Sequence, residues 1–449
     1  MRPRGEPASL CGGHVKKGVN RVRRDFGMGR QGTLAERFSG RDNSIGLIRL
    51  LLATAVVVAH AHILGGFGKR EPGNGFTGLQ VGLGRMSVYG FFVLSGFLIT
   101  RSGMRTTTGR YLWHRLLRIL PGLWVCVLFT AFVAAPIMFR HQQGSLDGFW
   151  RHGEGPFDYV RANWWTGLRQ LDISNILATG KKAGHAFDPG FDGALWSLSY
   201  EMICYVVVAA MAWSGVLRGS RRFVLLLTAL LYGWIVMDLV NAPGWRGPQN
   251  TNGTNIHVPI LSEFIGPLHS QYLIYLSFLF CVGMLFQLYQ ERIPVNDVLG
   301  VVSIVALFAS MRFGGFFVIG FPAFAYALMW LAVRLPKPFR VVGRKRDLSY
   351  GIYIYGFVVE QFLVVLGYNR HGFLAYLGLS LVGTFVLAAG SWYLVEKPAM
   401  RLKDWTPSLF RSRLPEAGAA KDTGSTSPVP TKAASDSTST PPSTVTINR

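Results

Sequence analysis

The chain has 449 residues, half of them hydrophobic and only 15% Asp, Glu, Lys or Arg, with a formal net charge of +23. Soluble domains carry about 25% charged residues, so this content, with a mean hydropathy of +0.29, excludes an ordinary soluble enzyme. The positive charge does not point to nucleic acid either. Most basic residues fall in short segments between apolar runs, where the positive-inside rule places them, and no nucleic-acid-binding signature accompanies them.

The first 44 residues are polar and carry ten Lys or Arg. They lack the apolar core of a signal peptide and read as a disordered basic segment, with Met28 as an alternative start. Ten apolar spans follow, near 45–64, 83–101, 117–139, 195–216, 222–240, 270–290, 296–311, 315–333, 349–367 and 374–396. A bilayer core needs about 20 such residues per helix. The sequence therefore predicts an all-α integral membrane domain over 45–402, a bundle of ten transmembrane helices. Residues 403–449, rich in Ser, Thr and Pro, read as a disordered tail.

Ten spans put both termini on one side. With that side in the cytosol, the inner segments hold 28 Lys or Arg and the outer loops 11, so the charge bias predicts N-in, C-in. The longest outer loop, 140–194, contains His141, His152, His185 and Asp188. No two of its histidines have close metal-ligand spacing, and no metal is expected. The cysteines, Cys11, Cys126, Cys204 and Cys281, form neither a disulfide framework nor a CxxC pattern.

Ionisable groups inside a bilayer are expensive and suggest function. The first span holds Arg49 and His60. Eleven residues make three turns plus roughly 20°, so both side chains share one helix face about 16 Å apart. His62 lies on the opposite side and reads as interfacial. In the second span Ser95 and Gly96 allow close helix approach. Arg115 and Arg118, spaced i, i+3 before Pro121, project from one face. Their planar forks suit phosphate, and with Arg49 they make a cytosolic dock for coenzyme A. The fourth span opens with Trp196, Tyr200 and Glu201. Glu201 at the depth of His60 would orient the imidazole, which then either deprotonates the acceptor hydroxyl or briefly holds the acyl group itself. The ninth span carries Tyr350, Tyr353, Tyr355 and Glu360. Ser95, Trp196, Tyr350, Tyr353 and Glu360 are the candidate substrate-binding residues. Glu396 and Lys397 read as an interfacial structural pair.

Taken in order, the Arg49-to-His60 spacing, FFVLSGFLIT, the Arg115–Arg118 pair, WSLSYE, SYGIYIY and VEKP resemble the membrane acyltransferase 3 family over roughly residues 42–402. The resemblance implies a ten-helix O-acyltransferase of the bacterial cytoplasmic (inner) membrane. It implies acyl-CoA, most simply acetyl-CoA, as donor substrate, no permanently bound cofactor, and a carbohydrate or lipid-linked sugar, or a glycosylated metabolite, as acceptor. Within it, the histidine matching His60 is essential and the arginines matching Arg49, Arg115 and Arg118 are important. Many members carry a histidine just after the SYGIYIY-type motif where this chain has Gly356. No fused SGNH hydrolase-like domain is expected, so transfer is completed in the membrane domain or by a polysaccharide-assembly partner. The rival reading is a glycolipid or polysaccharide transporter, against which stands the lack of a convincing repeat between the halves.

Overall fold

The computed structural model describes residues 32–38, 40, 42–182, 190–242, 244–247, 255–256, 261–344, 346–405 and 407. Of the segments expected to be disordered, 1–44 and 403–449, residues 1–31 and those beyond 407 lie outside the described residues, as do Cys11, His185 and Asp188; within the described part Gly32–Thr33 pairs with Pro294–Val295, and Leu34 and Phe38 are buried. Each of the ten expected spans coincides with a helix: α1 Ile45–Leu64, α2 Leu83–Arg105, α3 Thr108–Phe129, α4 Trp196–Trp213, α5 Arg221–Asn241, α6 Ser270–Leu288, α7 Asp297–Phe313, α8 Phe321–Arg334, α9 Ser349–Val365 and α10 Phe373–Ser391. The chain is thus an all-α, multi-pass membrane protein. Among the described residues, eight helical segments are long and apolar enough to cross a membrane. The other two helices, α7 and α9, have 17 residues each.

The distribution of apolar side chains explains the arrangement. In α5 and α10 only 22% of the apolar window is buried, against 67% in α2, α4 and α6. Leu226, Leu230 and Trp234 on α5 and Leu374, Val382 and Val386 on α10 are exposed, as expected of helices facing lipid hydrocarbon rather than water. The inner helices pack by small residues. Gly96 on α2 and Gly283 on α6 face one another so closely that a Cβ on Gly96 would lie 2.0 Å from the Phe280 carbonyl oxygen. This is the close approach expected beside Ser95.

Helix α1 packs against both α2 and α9, and α4 packs against α2 and α3. The candidate site lies where α1, α2, α4 and α9 converge. Gly356 sets the spacing of α1 and α9, because a Cβ there would stand 2.8 Å from Val57 Cγ2. A larger side chain at this position would have to displace Val57.

Two ends of the bundle can be told apart. The basic end gathers the start of α1, the end of α2, the start of α3, the start of α9 and the turn after α10. The loop end carries the 65–82 segment and the described parts of the long loop, 144–182 and 190–194. That long loop is pinned to the bundle by Asp192. Its fully buried carboxylate accepts from Tyr159 Oη at 2.6 Å, from Thr130 Oγ1 at 3.3 Å and from Cys126 Sγ at 3.8 Å. Burial pushes the Asp192 carboxyl up to about 7, against the opposing pull of these three donors. In the unfolded chain the group titrates near 3.9. Stability from this group is therefore complete below about pH 4 and is lost as pH rises through 7, with a slope on the order of 1.4 kcal/mol per pH unit inside the window. Thermal melts of the purified protein at pH 5 and pH 7.5 should show the lower-pH sample gaining more in wild type than in Asp192→Asn.

Candidate active site

Three cavities form a series from the basic end to the loop end. The innermost, about 50 Å³, is lined by Arg49, Phe91, Ser95, Glu201, Tyr350 and Tyr353, among others. The second, about 300 Å³, is lined by His60, Glu71, Arg85, Trp196, Tyr272 and Tyr353, with Val56, Gly84 and Val88. Val88 and Tyr353 line both, so these two side chains form the partition between them. The third, about 370 Å³, lies beyond Trp196 and Tyr272 and takes in Tyr200, His269, Arg169 and Leu171. Arg49 and His60 thus line two adjoining cavities, as their shared helix face predicts.

His60 is half-buried. Its imidazole meets Phe357 edge-on, with ring centroids 4.8 Å apart, and has no hydrogen-bond partner among the described residues. A ring nitrogen open to a cavity of this size can receive a proton from a bound ligand.

The expected pairing of Glu201 with His60 is not formed. Glu201 Oε1 accepts from Ser95 Oγ at 3.1 Å and from Tyr205 Oη at 2.5 Å, and the carboxylate lines the innermost cavity. The reason is depth. Trp196 is the α4 residue that reaches the His60 cavity, and Glu201 lies five residues further along, about 7.5 Å of helix rise. The ionisable neighbours that do share the His60 cavity are Glu71 and Arg85. Glu71 Oε2 also accepts from the Gly84 amide at 3.0 Å, where the α2 N-terminus favours a carboxylate. Arg85 carries a readable signal, a charge inside the second apolar span. Glu71 carries none, since it sits in a polar connection.

The arginines separate into two kinds. Arg118 donates to Asp347 at 2.7 Å and to Glu396 at 3.1 Å, and its guanidinium lies 5.6 Å from the Tyr350 ring. Arg49 contacts the same Asp347 oxygen at 3.3 Å. Burial pushes Asp347 up, but Arg49, Arg118 and the Ser349 hydrogen bonds outweigh it and hold the carboxyl well below the usual carboxylate range. Asp347 was missed in the sequence. Its signal is a lone acid in a basic run immediately before SYGIYIY. A π-helical turn, Trp392–Glu396, delivers Glu396 to this cluster, where Ser391 also donates to it at 3.3 Å; Glu396 is structural, as expected, but its partner is Arg118 rather than Lys397. Arg115 differs. Its Nε is buried without a hydrogen-bond partner among the described residues, and its guanidinium lies 6.0 Å from both the Tyr111 and Tyr205 rings.

Of the remaining candidates, Tyr350 lines the innermost cavity and donates to the Ile119 carbonyl at 2.7 Å. Tyr353 is fixed by Ser197 Oγ at 2.6 Å and the Ala194 carbonyl at 2.7 Å. Glu360 is absent from the lining of all three cavities. It is fully buried and neither carboxylate oxygen has a hydrogen-bond partner among the described residues, so it does not join the other candidates.

The comparisons with known proteins bear on the chain as a whole. The family model described as an acyltransferase domain matches residues 42–395. Nodulation protein 10 of Rhizobium leguminosarum bv. viciae is 27% identical over 392 residues, covering 82% of this chain and 96% of that protein. The O-acetyl transferase of Shigella phage Sf6 is 25% identical over 366 residues, covering 80% of this chain and 96% of its own. No solved structure matches.

Proposed function

Since the chain belongs to the acyltransferase 3 family and is a membrane O-acyltransferase, we propose that it moves an acetyl group from acetyl-CoA, bound at the basic end, to a carbohydrate hydroxyl presented at the loop end. The observation that carries this reading is the cavity series joining Arg49 to His60 across Tyr353. The basic end faces the cytosol of a bacterium and the loop end the outer side of its cytoplasmic membrane, as the charge bias requires.

In this reading the nucleotide and phosphates of the donor rest on the basic end. Arg115 is the principal phosphate ligand, because Arg118 already spends both arms of its fork on carboxylates. Arg49 pairs with Asp347 and already lines the innermost cavity. The pantetheine arm displaces Tyr353 and brings the thioester to His60. The His60 ring nitrogen takes the proton of the acceptor hydroxyl as its oxygen attacks the thioester carbonyl. The carbon–sulfur bond breaks, and the imidazolium returns its proton to the departing thiolate. Glu201 lies along the donor's path, where it holds Ser95 and Tyr205. Trp196 lines the acceptor side.

The test is transfer of radiolabelled acetyl from acetyl-CoA by the protein reconstituted in lipid vesicles with envelope glycan from the source cells. Label in the carbohydrate fraction supports the reading, and label confined to lipid or water contradicts it. In the same assay Arg115→Ala should raise the KM for acetyl-CoA about tenfold or more, the scale of one charge-assisted hydrogen bond, with a smaller effect on kcat. An unchanged KM would remove Arg115 from the donor site.

A further inference from the structure

The cavity nearest the loop end is not needed to bring one hydroxyl to His60. It nonetheless adjoins the His60 cavity, with Trp196 and Tyr272 lining both. Their rings lie 4.6 Å apart at 37°. Tyr200 meets Trp196 at 5.6 Å, nearly perpendicular, and His269 meets Tyr272 at 6.0 Å. Flat aromatic faces that also carry polar groups suit a ligand with both apolar C–H faces and hydroxyl edges, which is the chemistry of a pyranose ring.

The walls are fixed in place beforehand. Ser199 Oγ reaches the carbonyls of Thr166 at 2.9 Å and Ile265 at 2.6 Å, and the His269 amide donates to Tyr200 Oη at 2.7 Å. These bonds tie α4 to the long loop and to the segment before α6. At about 370 Å³ and 300 Å³, each cavity falls in the size range of a small-molecule site by itself.

We propose that the outer cavity is a second sugar subsite, so that the acceptor is a glycan of at least two residues. One ring lies beside His60. Its neighbour is held between Tyr200, His269, Arg169 and Leu171, with Trp196 and Tyr272 as the shelf under the linkage. The inference rests on the carbohydrate-acceptor reading above and narrows it, excluding free monosaccharides and single-sugar conjugates as preferred acceptors.

The test uses envelope glycan from the source cells, cut by mild acid and sorted by size into one, two, three and more residues. Each fraction is offered with radiolabelled acetyl-CoA to the reconstituted protein. Transfer to fractions of two or more residues should exceed transfer to the one-residue fraction at least tenfold at equal concentration. Leu171→Trp, which fills the outer cavity from an exposed position, should bring that ratio down toward one. Equal labelling of all sizes by the wild type would overturn the second subsite while leaving the carbohydrate acceptor intact. So would a Leu171→Trp ratio equal to that of wild type. Absence of label from every size would instead defeat the carbohydrate reading, and the subsite with it. Because the wild-type ratio is itself decisive, poor folding of the variant does not shield the proposal.

Discussion

Replacing His60 with Ala or Gln is expected to lower acyl transfer by about 10²–10⁴-fold, the contribution of a positioned general base. Stability should stay near that of wild type. The imidazole is half-buried, is held by one edge contact to Phe357, and has no hydrogen-bond partner among the described residues, so removing it costs little packing and leaves no described partner orphaned. The measurement is the rate of labelled acetyl transfer beside a thermal melt of the same preparation. Acid quenching of the wild type during turnover separates the two uses of this ring: base catalysis leaves the protein unlabelled, whereas an acyl-imidazole would carry label on His60. A variant that transfers at close to the wild-type rate would remove His60 from the chemistry.

Arg118→Ala is expected to have the largest effect on stability. The side chain is only 13% exposed and holds two carboxylates, Asp347 at 2.7 Å and Glu396 at 3.1 Å, the latter 2% exposed. Removing one member of a buried ionic cluster strands its partners and costs about 3–5 kcal/mol. Arg118→Lys should recover little, since a single ammonium cannot span both carboxylates as the fork does. Arg49→Ala should cost less, because its one contact with Asp347 is longer and both groups are 26% exposed. Unfolding in mixed detergent micelles would rank the three variants. A melt of Arg118→Ala indistinguishable from wild type would show that the cluster does not hold the basic end together.

The sequence carried the helices well because bilayer length and apolar run are coupled; α1 was read to the residue. It also carried the relation of Arg49 to His60, which depends only on helix periodicity. Relations between helices were less readable. Glu201 has the residue type for orienting an imidazole, but its depth is set by where α4 begins after the ordered turn at Gly193–Leu195, and no periodicity reports that. Arg118 was read as a phosphate fork because its carboxylate partners lie 229 and 278 residues away. Asp347 and Glu71 sit in connecting segments, where a charged residue ordinarily means only solvent. Glu360 illustrates the converse: an acid in mid-span draws attention, yet the three cavities pass it by.

The most direct test is a structure of the protein in a lipid nanodisc with a non-hydrolysable acetyl-CoA analogue. The account predicts phosphates against Arg115 at the basic end, Tyr353 released from the Ala194 carbonyl, and the analogue's carbonyl within hydrogen-bonding reach of the His60 ring. An analogue bound at the loop end, or one whose acyl group stops short of His60 with Tyr353 still in place, would contradict it.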